Sequence, residues 1–202
     1  MEVLSIRRIN LEFSDLASRR PLEIPAEPLA RSPGIHLSDI LKHIGRKIGK
    51  LKPGERLEED YPWRMAMGNM WEEFYFSLHP SYLWQPGEQV IDGVAMNADG
   101  LRLGPAALID TKCTECKVVG TAEELEEKFS YNWWVYGHQA RGYCHGYEVD
   151  TFVWPVLHYR GDWRGSGPVV MEYEVRFSPV EILQTWEMVM RFKEEVEEEG
   201  LL

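Results

Sequence analysis

Residues 106–112, Ala-Ala-Leu-Ile-Asp-Thr-Lys, form a short apolar run that ends in an acid and, two places on, a lysine. A run this short has the length of a buried strand, not of a helix. Side chains alternate faces along a strand, so Asp110 and Lys112 point one way while Thr111 and Cys113 point the other. A buried strand needs neighbouring strands and a covering layer, which limits the chain to mixed architectures if helices lie on either side.

Such elements can be read along the whole chain. Residues 3–13 partly alternate and predict a strand. Pro21, Pro25, Pro28 and Pro33 predict an irregular arm after it. Ile40, Leu41, Ile44, Ile48 and Leu51 follow helical spacing up to Pro53-Gly54, with Ser38 as the expected N-cap. Residues 62–79 predict a second helix rich in Met and aromatic residues. Residues 88–113 read as strand, tight turn at Asn97–Gly100, and strand, with an extra short strand around Leu101–Leu103. Thr121 and Glu124 form a capping box opening a helix, and residues 131–148 continue helically despite their glycines. Residues 151–160 and 169–177 read as a hairpin around a Gly-rich turn, its second strand half-buried through Met171, Tyr173, Val175 and Phe177. Ser178, Pro179 and Glu181 open a last helix running towards Gly200. The fold class expected is α/β (α+β), one domain over residues 1–202, with 1–56 as a partly basic arm and helix.

The charge is uneven. The net charge is −11, yet residues 1–56 hold 11 Arg/Lys against 7 Asp/Glu. An acidic body excludes a general nucleic-acid coat, while a locally basic region can still bind an anion where metal ions neutralise nearby carboxylates. With no apolar run near membrane-spanning length and no secretory signal pattern, the expectation is a cytoplasmic protein without a membrane partner. Three cysteines make a poor disulfide framework, and reduced thiols are the plain reading.

Two sites compete at residues 110–116. Asp92 closes the apolar start of the preceding strand, and pairing across the Asn97–Gly100 turn would bring it to Asp110. Two close carboxylates repel and invite a divalent cation, and oxygen donors favour Mg²⁺ or Mn²⁺ over zinc. Lys112 beside that cation could orient water and stabilise charge on a phosphate. The rival is a zinc or redox site built on Cys113 and Cys116, with Cys144, His138 or His145 as further ligands. If Asp110 and Lys112 face the site, Cys113 points away and is most simply a buried thiol.

Further along, Gln139 and Tyr143 are four apart and share a helical face. Taken in order, Gly68 with Glu72 four residues later, Asp92, Asp110-Thr111-Lys112, and Gln139 with Tyr143 resemble the PD-(D/E)XK nuclease superfamily. The branch is that of RecB-type nuclease domains, phage lambda-type exonucleases and CRISPR-associated RecB-like exonucleases. The resemblance covers residues 68–143. It implies a restriction-endonuclease-like core with a central mixed sheet flanked by helices. It also implies a metal held by Asp92, Asp110 and the Thr111 carbonyl, with Glu72 (or its neighbour Glu73) as a further ligand. Lys112 would act on the attacking water, Gln139 would orient that end of the site, and Tyr143 would contact the substrate backbone. Asp99, in a turn-like Asn-Ala-Asp-Gly context, is left out.

The function expected is a Mg²⁺- or Mn²⁺-dependent DNA nuclease, an exonuclease acting on linear ends in recombination or DNA-end processing, plausible for a phage. His36, Lys42 and Arg46, at and along the basic helix, are the expected substrate contacts. A homo-oligomer and a recombination partner protein stay open. The alternative is a DNA-binding or structural protein that keeps the fold without catalysis. Trp133 and Trp134 could meet a DNA end, but core packing is their expected use.

Overall fold

In the computed structural model of the chain, the described residues are 1–10, 34–51, 61–159 and 168–198, the side chains of 61 and 62 excepted. The proline-rich arm, the Gly-rich turn of the late hairpin and the end of the last helix lie outside them.

The centre is a seven-stranded mixed sheet. Strand β9 (Thr151–His158) runs antiparallel to β10 (Val169–Arg176) on one side. On the other it runs parallel to β7 (Ala106–Ile109) and, beyond a gap, to β8 (Lys112–Thr114). The order continues outward through β1 (Glu2–Ile9) at one edge and through β6 (Gly100–Leu103) to β3 (Leu83–Trp84) at the other. A three-stranded sheet of β2 (Ile35–His36), β5 (Val94–Met96) and β4 (Gln89–Ile91) stands apart from it.

Helices cover both faces. On one face lie α1 (Leu37–Lys47), α3 (Ala122–Ser130), α4 (Trp134–Gly146) and α5 (Pro179–Glu198). They enclose a core that takes Phe152, Trp154 and Val156 from β9 and Leu108 from β7. On the other face α2 (Tyr61–Leu78) packs Trp71, Phe74, Tyr75 and Phe76 against Ala107, Ile109, Val153 and Val170. Successive residues of β9 thus enter opposite cores, which is the pattern of a strand buried on both sides. Trp133 and Trp134 are core residues, as expected.

The glycines of α4 make room for its neighbours. A Cβ on Gly142 would strike the Leu37 side chain, and one on Gly146 the Met96 sulfur. Capping follows the expected chemistry at two helices. The Glu124 N–H donates to Thr121 Oγ1 at 3.2 Å, and Ser178 and Glu181 exchange the paired bonds of a capping box.

Three expectations need correction. His36, not Ser38, occupies the N-cap position of α1. Strand β10 is not half-buried: β1 and β9 flank it and α2 covers its second face, so even Glu172 is 1% exposed. That carboxylate accepts from Arg7, its cross-strand partner on β1, and from the Tyr75 hydroxyl at 2.8 Å. The third correction concerns residues 88–113, which form two hairpins. One joins β4 to β5 through Asp92-Gly93, and the other joins β6 to β7 through Gly104-Pro105. Residues 97–99 carry the chain from the small sheet to the large one.

Gly100 begins β6 where the Phe76 ring crosses it, and a Cβ there would enter that ring. Gly100→Ala is expected to destabilise the protein by about 1–3 kcal/mol through overpacking. The measurement is a lower urea midpoint with an unchanged m-value.

Candidate active site

Hairpin β6–β7 sets the register of the site. Leu103 faces Ala106 and Gly100 faces Ile109, so the next opposed pair is Asp99 and Asp110. Thr111 ties the two ends together, its N–H and its Oγ1 donating to Asp99 Oδ2 at 2.7 and 2.8 Å. Asp110, 4% exposed, makes an ion pair with Lys112 two residues along the same face. The face is the one covered by α4, as the alternation of strand side chains requires.

The gap between β7 and β8 has a cause in β9. The Asp110 N–H donates to the Val153 carbonyl at 3.1 Å, and further along the Tyr159 N–H donates to the Thr114 carbonyl. The same stepping makes residue 155 the donor to the Asp110 carbonyl, and residue 155 is a proline with no N–H. Its own carbonyl instead accepts from the Trp71 indole at 3.0 Å. The ladder therefore opens at Asp110-Thr111, and the Thr111 N–H turns to Asp99.

Three other elements close around the pair. Helix α2 contributes Glu72, whose Oε1 accepts from the Trp84 indole at 2.7 Å. Gln85, next on the chain, bonds the same carboxylate through its side chain and donates its backbone N–H to the Asp99 carbonyl at 2.8 Å. Helix α4 contributes Gln139, whose amide donates to the Tyr143 hydroxyl at 2.8 Å, and Tyr136, whose ring lies 5.3 Å from Lys112 Nζ.

The electrostatics follow from crowding three acids and one lysine out of water. Desolvation, then the charge of Asp110, push the Asp99 carboxyl up to about 8. Desolvation also raises Glu72, with bonds from Trp84 and Gln85 and the Lys112 charge opposing and the Asp110 charge adding. For Lys112 burial works against the ammonium, but Asp110 and Asp99 outweigh it and its pKa is raised. Burial, then Asp110 and Asp99, hold the Tyr143 phenol well above its ordinary range. These mutual effects place Glu72, Asp99, Asp110, Lys112 and Tyr143 in one electrostatic cluster.

Asp92 stands elsewhere. It and Gly93 both have positive φ, +50° and +76°, and form the two-residue tip of the β4–β5 hairpin in the small sheet. Such a tip takes Asp-Gly because both central residues must adopt left-handed backbone. Helix α5 holds the tip: Trp186 Nε1 donates to Asp92 Oδ2 at 3.1 Å and Lys193 Nζ to its carbonyl at 2.8 Å. The carboxylate across from Asp110 is Asp99, the residue left out of the sequence reading. The signal for it was Gly104-Pro105, whose role as the hairpin turn makes residues 99 and 110 partners.

The structure brings together Glu72, Asp110, Thr111, Lys112, Gln139 and Tyr143 from the expected set. His36 sits where β2 pairs with β5, at the entry to α1. Lys42 and Arg46 lie along α1, Lys42 3.6 Å from Asp39 and Arg46 exposed. Other cations of this segment serve packing, Lys47 pairing with Glu195 of α5 and Lys50 donating to the Ser130 carbonyl.

The cysteines divide between the two cores. Cys113 packs on the α2 side, donating to the Met67 carbonyl at 3.6 Å, whereas Cys144 is buried on the opposite side. Burial pushes the Cys113 thiol up to about 12, that of a small apolar residue and not of a reactive thiolate. Among the described residues no three His, Cys, Asp or Glu side chains stand in ready metal-holding geometry. At the acidic cluster, Asp110 is engaged by Lys112 and Glu72 by Trp84. The donors there are hard oxygens, and two desolvated aspartates with a third acid nearby are the chemistry that a Mg²⁺-sized cation satisfies.

No family model and no curated protein matches the chain. Among solved structures it is similar to a phage-related exonuclease from Haemophilus somnus 129PT, at 13% identity and a TM-score of 0.50, over 81% of this chain and 83% of that one. It also matches LHK-Exo, solved in complex with dAMP, at 12% identity and a TM-score of 0.47, over 82% and 89% of the two chains. The first likeness shows the fold, a central mixed sheet flanked by helices, as the resemblance implied. No helix among the described residues is long and apolar enough to cross a membrane.

The raised Asp99 pKa carries a pH signature. Its ordinary value is about 3.9 in an unfolded chain, so between about pH 4 and pH 8 the folded state holds the proton more tightly. Stability from this group is therefore present at acid pH and lost as pH rises towards 8. Chemical denaturation of the metal-free protein across that window is expected to show wild type losing stability relative to Asp99→Asn as pH increases.

Proposed function

We propose that the chain is a divalent-metal-dependent DNA nuclease, acting as an exonuclease on linear ends in recombination or DNA-end processing. The observation that carries this reading is the opposition of Asp99 and Asp110 across an open hairpin end, with Lys112 on the same face and Glu72 closing the fourth side. The fold, shared with a phage-related exonuclease, supports it.

The residues fit Mg²⁺ or Mn²⁺. Asp99 and Asp110 would hold the ion, with the Thr111 carbonyl and Glu72 as further oxygen donors. Bound there, the ion would supply Lewis-acid polarisation of a phosphate and offset the acidity of the cluster. The protein groups have separate tasks. Lys112, kept as an ammonium by Asp110 and Asp99, donates hydrogen bonds to water and to a phosphate oxygen as negative charge builds on it. Gln139 fixes the Tyr143 hydroxyl by its hydrogen bond. Tyr143 stays a neutral phenol and so can donate to the substrate backbone. Arg46 and Lys42 on α1 offer cationic contacts for the incoming strand, and His36 lies at the start of the same helix.

The test is cleavage of end-labelled linear and closed circular DNA with Mg²⁺, Mn²⁺ or EDTA. Asp99→Asn, Asp110→Asn and Lys112→Ala are each expected to reduce the rate by about 100-fold or more, the usual scale for a group acting on the reacting centre. Asp92→Asn is expected to retain near-full activity, because that carboxylate serves the β4–β5 tip. Loss of activity in Asp92→Asn with retention in Asp99→Asn would reverse the assignment. A folded protein that binds DNA and cleaves none would favour the inactive binding module. In thermal melts, Mn²⁺ is expected to raise the wild-type midpoint and to leave Asp99→Asn and Asp110→Asn unmoved, since only a ligand of the native state stabilises it.

A further inference from the structure

The sheet edge beside the acidic cluster carries an exposed tryptophan that the proposed chemistry does not use. Trp84 ends β3, where it pairs with Gly100, one residue from Asp99. Its surroundings hold it on two sides. The indole N–H is bonded to Glu72 Oε1 at 2.7 Å, and the Phe76 ring lies near-parallel beneath it, 6.2 Å between centroids at 17°. The side chain is still 45% exposed, and its strand neighbour Leu83 is 46% exposed. A ring already fixed at its polar edge and backed on one face can accept a planar partner on the other with little further loss of side-chain freedom.

The helix facing it is open as well. Gly68 lies one turn before Glu72 on the same face of α2, and among the described residues nothing comes within 4 Å of where its Cβ would stand. Glycine inside a helix is unfavourable by about 1 kcal/mol relative to alanine, and no packing among the described residues calls for it here. The open helix face and the exposed indole meet at Glu72, a member of the cluster.

We infer that Trp84 is a stacking platform for an unpaired nucleobase of the strand whose phosphate enters the Asp99–Asp110–Lys112 site. The inference rests on the nuclease reading of that site and narrows its substrate class. A base inside a duplex has both faces covered by its neighbours, so the free face of Trp84 is open to an unpaired base or to the outer face of an end pair, and the unpaired base is the one proposed. On that assignment the strand reaches the site with at least one nucleotide unpaired.

Two roles of Trp84 can be separated by substitution. Trp84→Gln keeps a donor for Glu72 and removes the ring, and Trp84→Phe keeps a ring and removes the donor. Affinities are read by fluorescence anisotropy in Ca²⁺, with a labelled oligothymidylate and an abasic oligomer of equal length as probes. The expected result is an about tenfold or greater loss of oligothymidylate affinity in Trp84→Gln, the scale of one base–aromatic stack. Abasic affinity is expected to be unchanged in that variant, and Trp84→Phe to stay within about threefold of wild type on both probes. Unchanged oligothymidylate binding in Trp84→Gln overturns the platform. Equal losses on both probes, or Trp84→Phe falling as far as Trp84→Gln, reduce Trp84 to a positioning residue for Glu72 and overturn it too. Wild-type protein that neither binds nor cleaves DNA removes the nuclease reading itself, an outcome distinct from active wild type with an indifferent Trp84.

Discussion

Asp99 and Asp110 face each other across the splayed end of a hairpin, both largely withdrawn from water, and their like charges repel. That repulsion organises what surrounds them. Lys112 answers Asp110 with an ion pair, and Thr111 answers Asp99 with two hydrogen bonds from one residue. Even so, the Asp99 carboxyl is pushed up to about 8. A cluster that must hold a proton or a cation to relieve its own field is unfavourable for folding and well suited to binding. Acids shifted by burial and by a neighbouring like charge are concentrated at functional sites, though structural ion-pair networks such as Arg7–Glu172 bury acids too.

The fold supports that unfavourable arrangement by enclosing it between two cores. Strand β9 sends alternate side chains into each, so its position is anchored from both faces, and β7 and β8 take their register from it. Pro155 interrupts the ladder at the one step where Asp110 and Thr111 need freedom to turn. The gap is then stabilised from the far side by the Trp71 indole on the Pro155 carbonyl. One proline thus links the α2 core to the geometry of the acids on the α4 face. Glu72 and Trp71 are adjacent on α2, so the same helix that fills the gap also delivers the third acid.

Much of this was legible in the chain. The apolar run before Asp110 predicted the buried strand. The i, i+4 spacing of Gln139 and Tyr143 predicted a shared helical face, and the two side chains hydrogen-bond there. The two-residue alternation that sent Asp110 and Lys112 one way sent Cys113 the other, into the α2 core. The failure came at residues 92–100, where two Asp-Gly pairs occur, one at each end of the segment. Asp92-Gly93 is a turn and Asp99-Gly100 is the start of a strand, and local composition favours neither assignment. Three-residue strands β4 and β5 carry too little alternation to decide it.

Local physics, acting over a few residues, determined most of the segments that become strands and helices, the caps at Thr121 and Ser178, and the face that Asp110, Lys112 and Cys113 each take. It also placed an acid and a lysine together on one face of a buried strand, the arrangement from which the proposed chemistry starts. Which acid joins Asp110 was decided only in three dimensions. Strand register sums contacts along a whole hairpin, and the partners that hold Asp92 away from the cluster, Trp186 and Lys193, lie about ninety to a hundred residues further along the chain. The same holds for Trp84: its exposure, its bond to Glu72 and its backing by Phe76 arise from the meeting of an edge strand with a helix, and no short stretch of sequence encodes such a meeting.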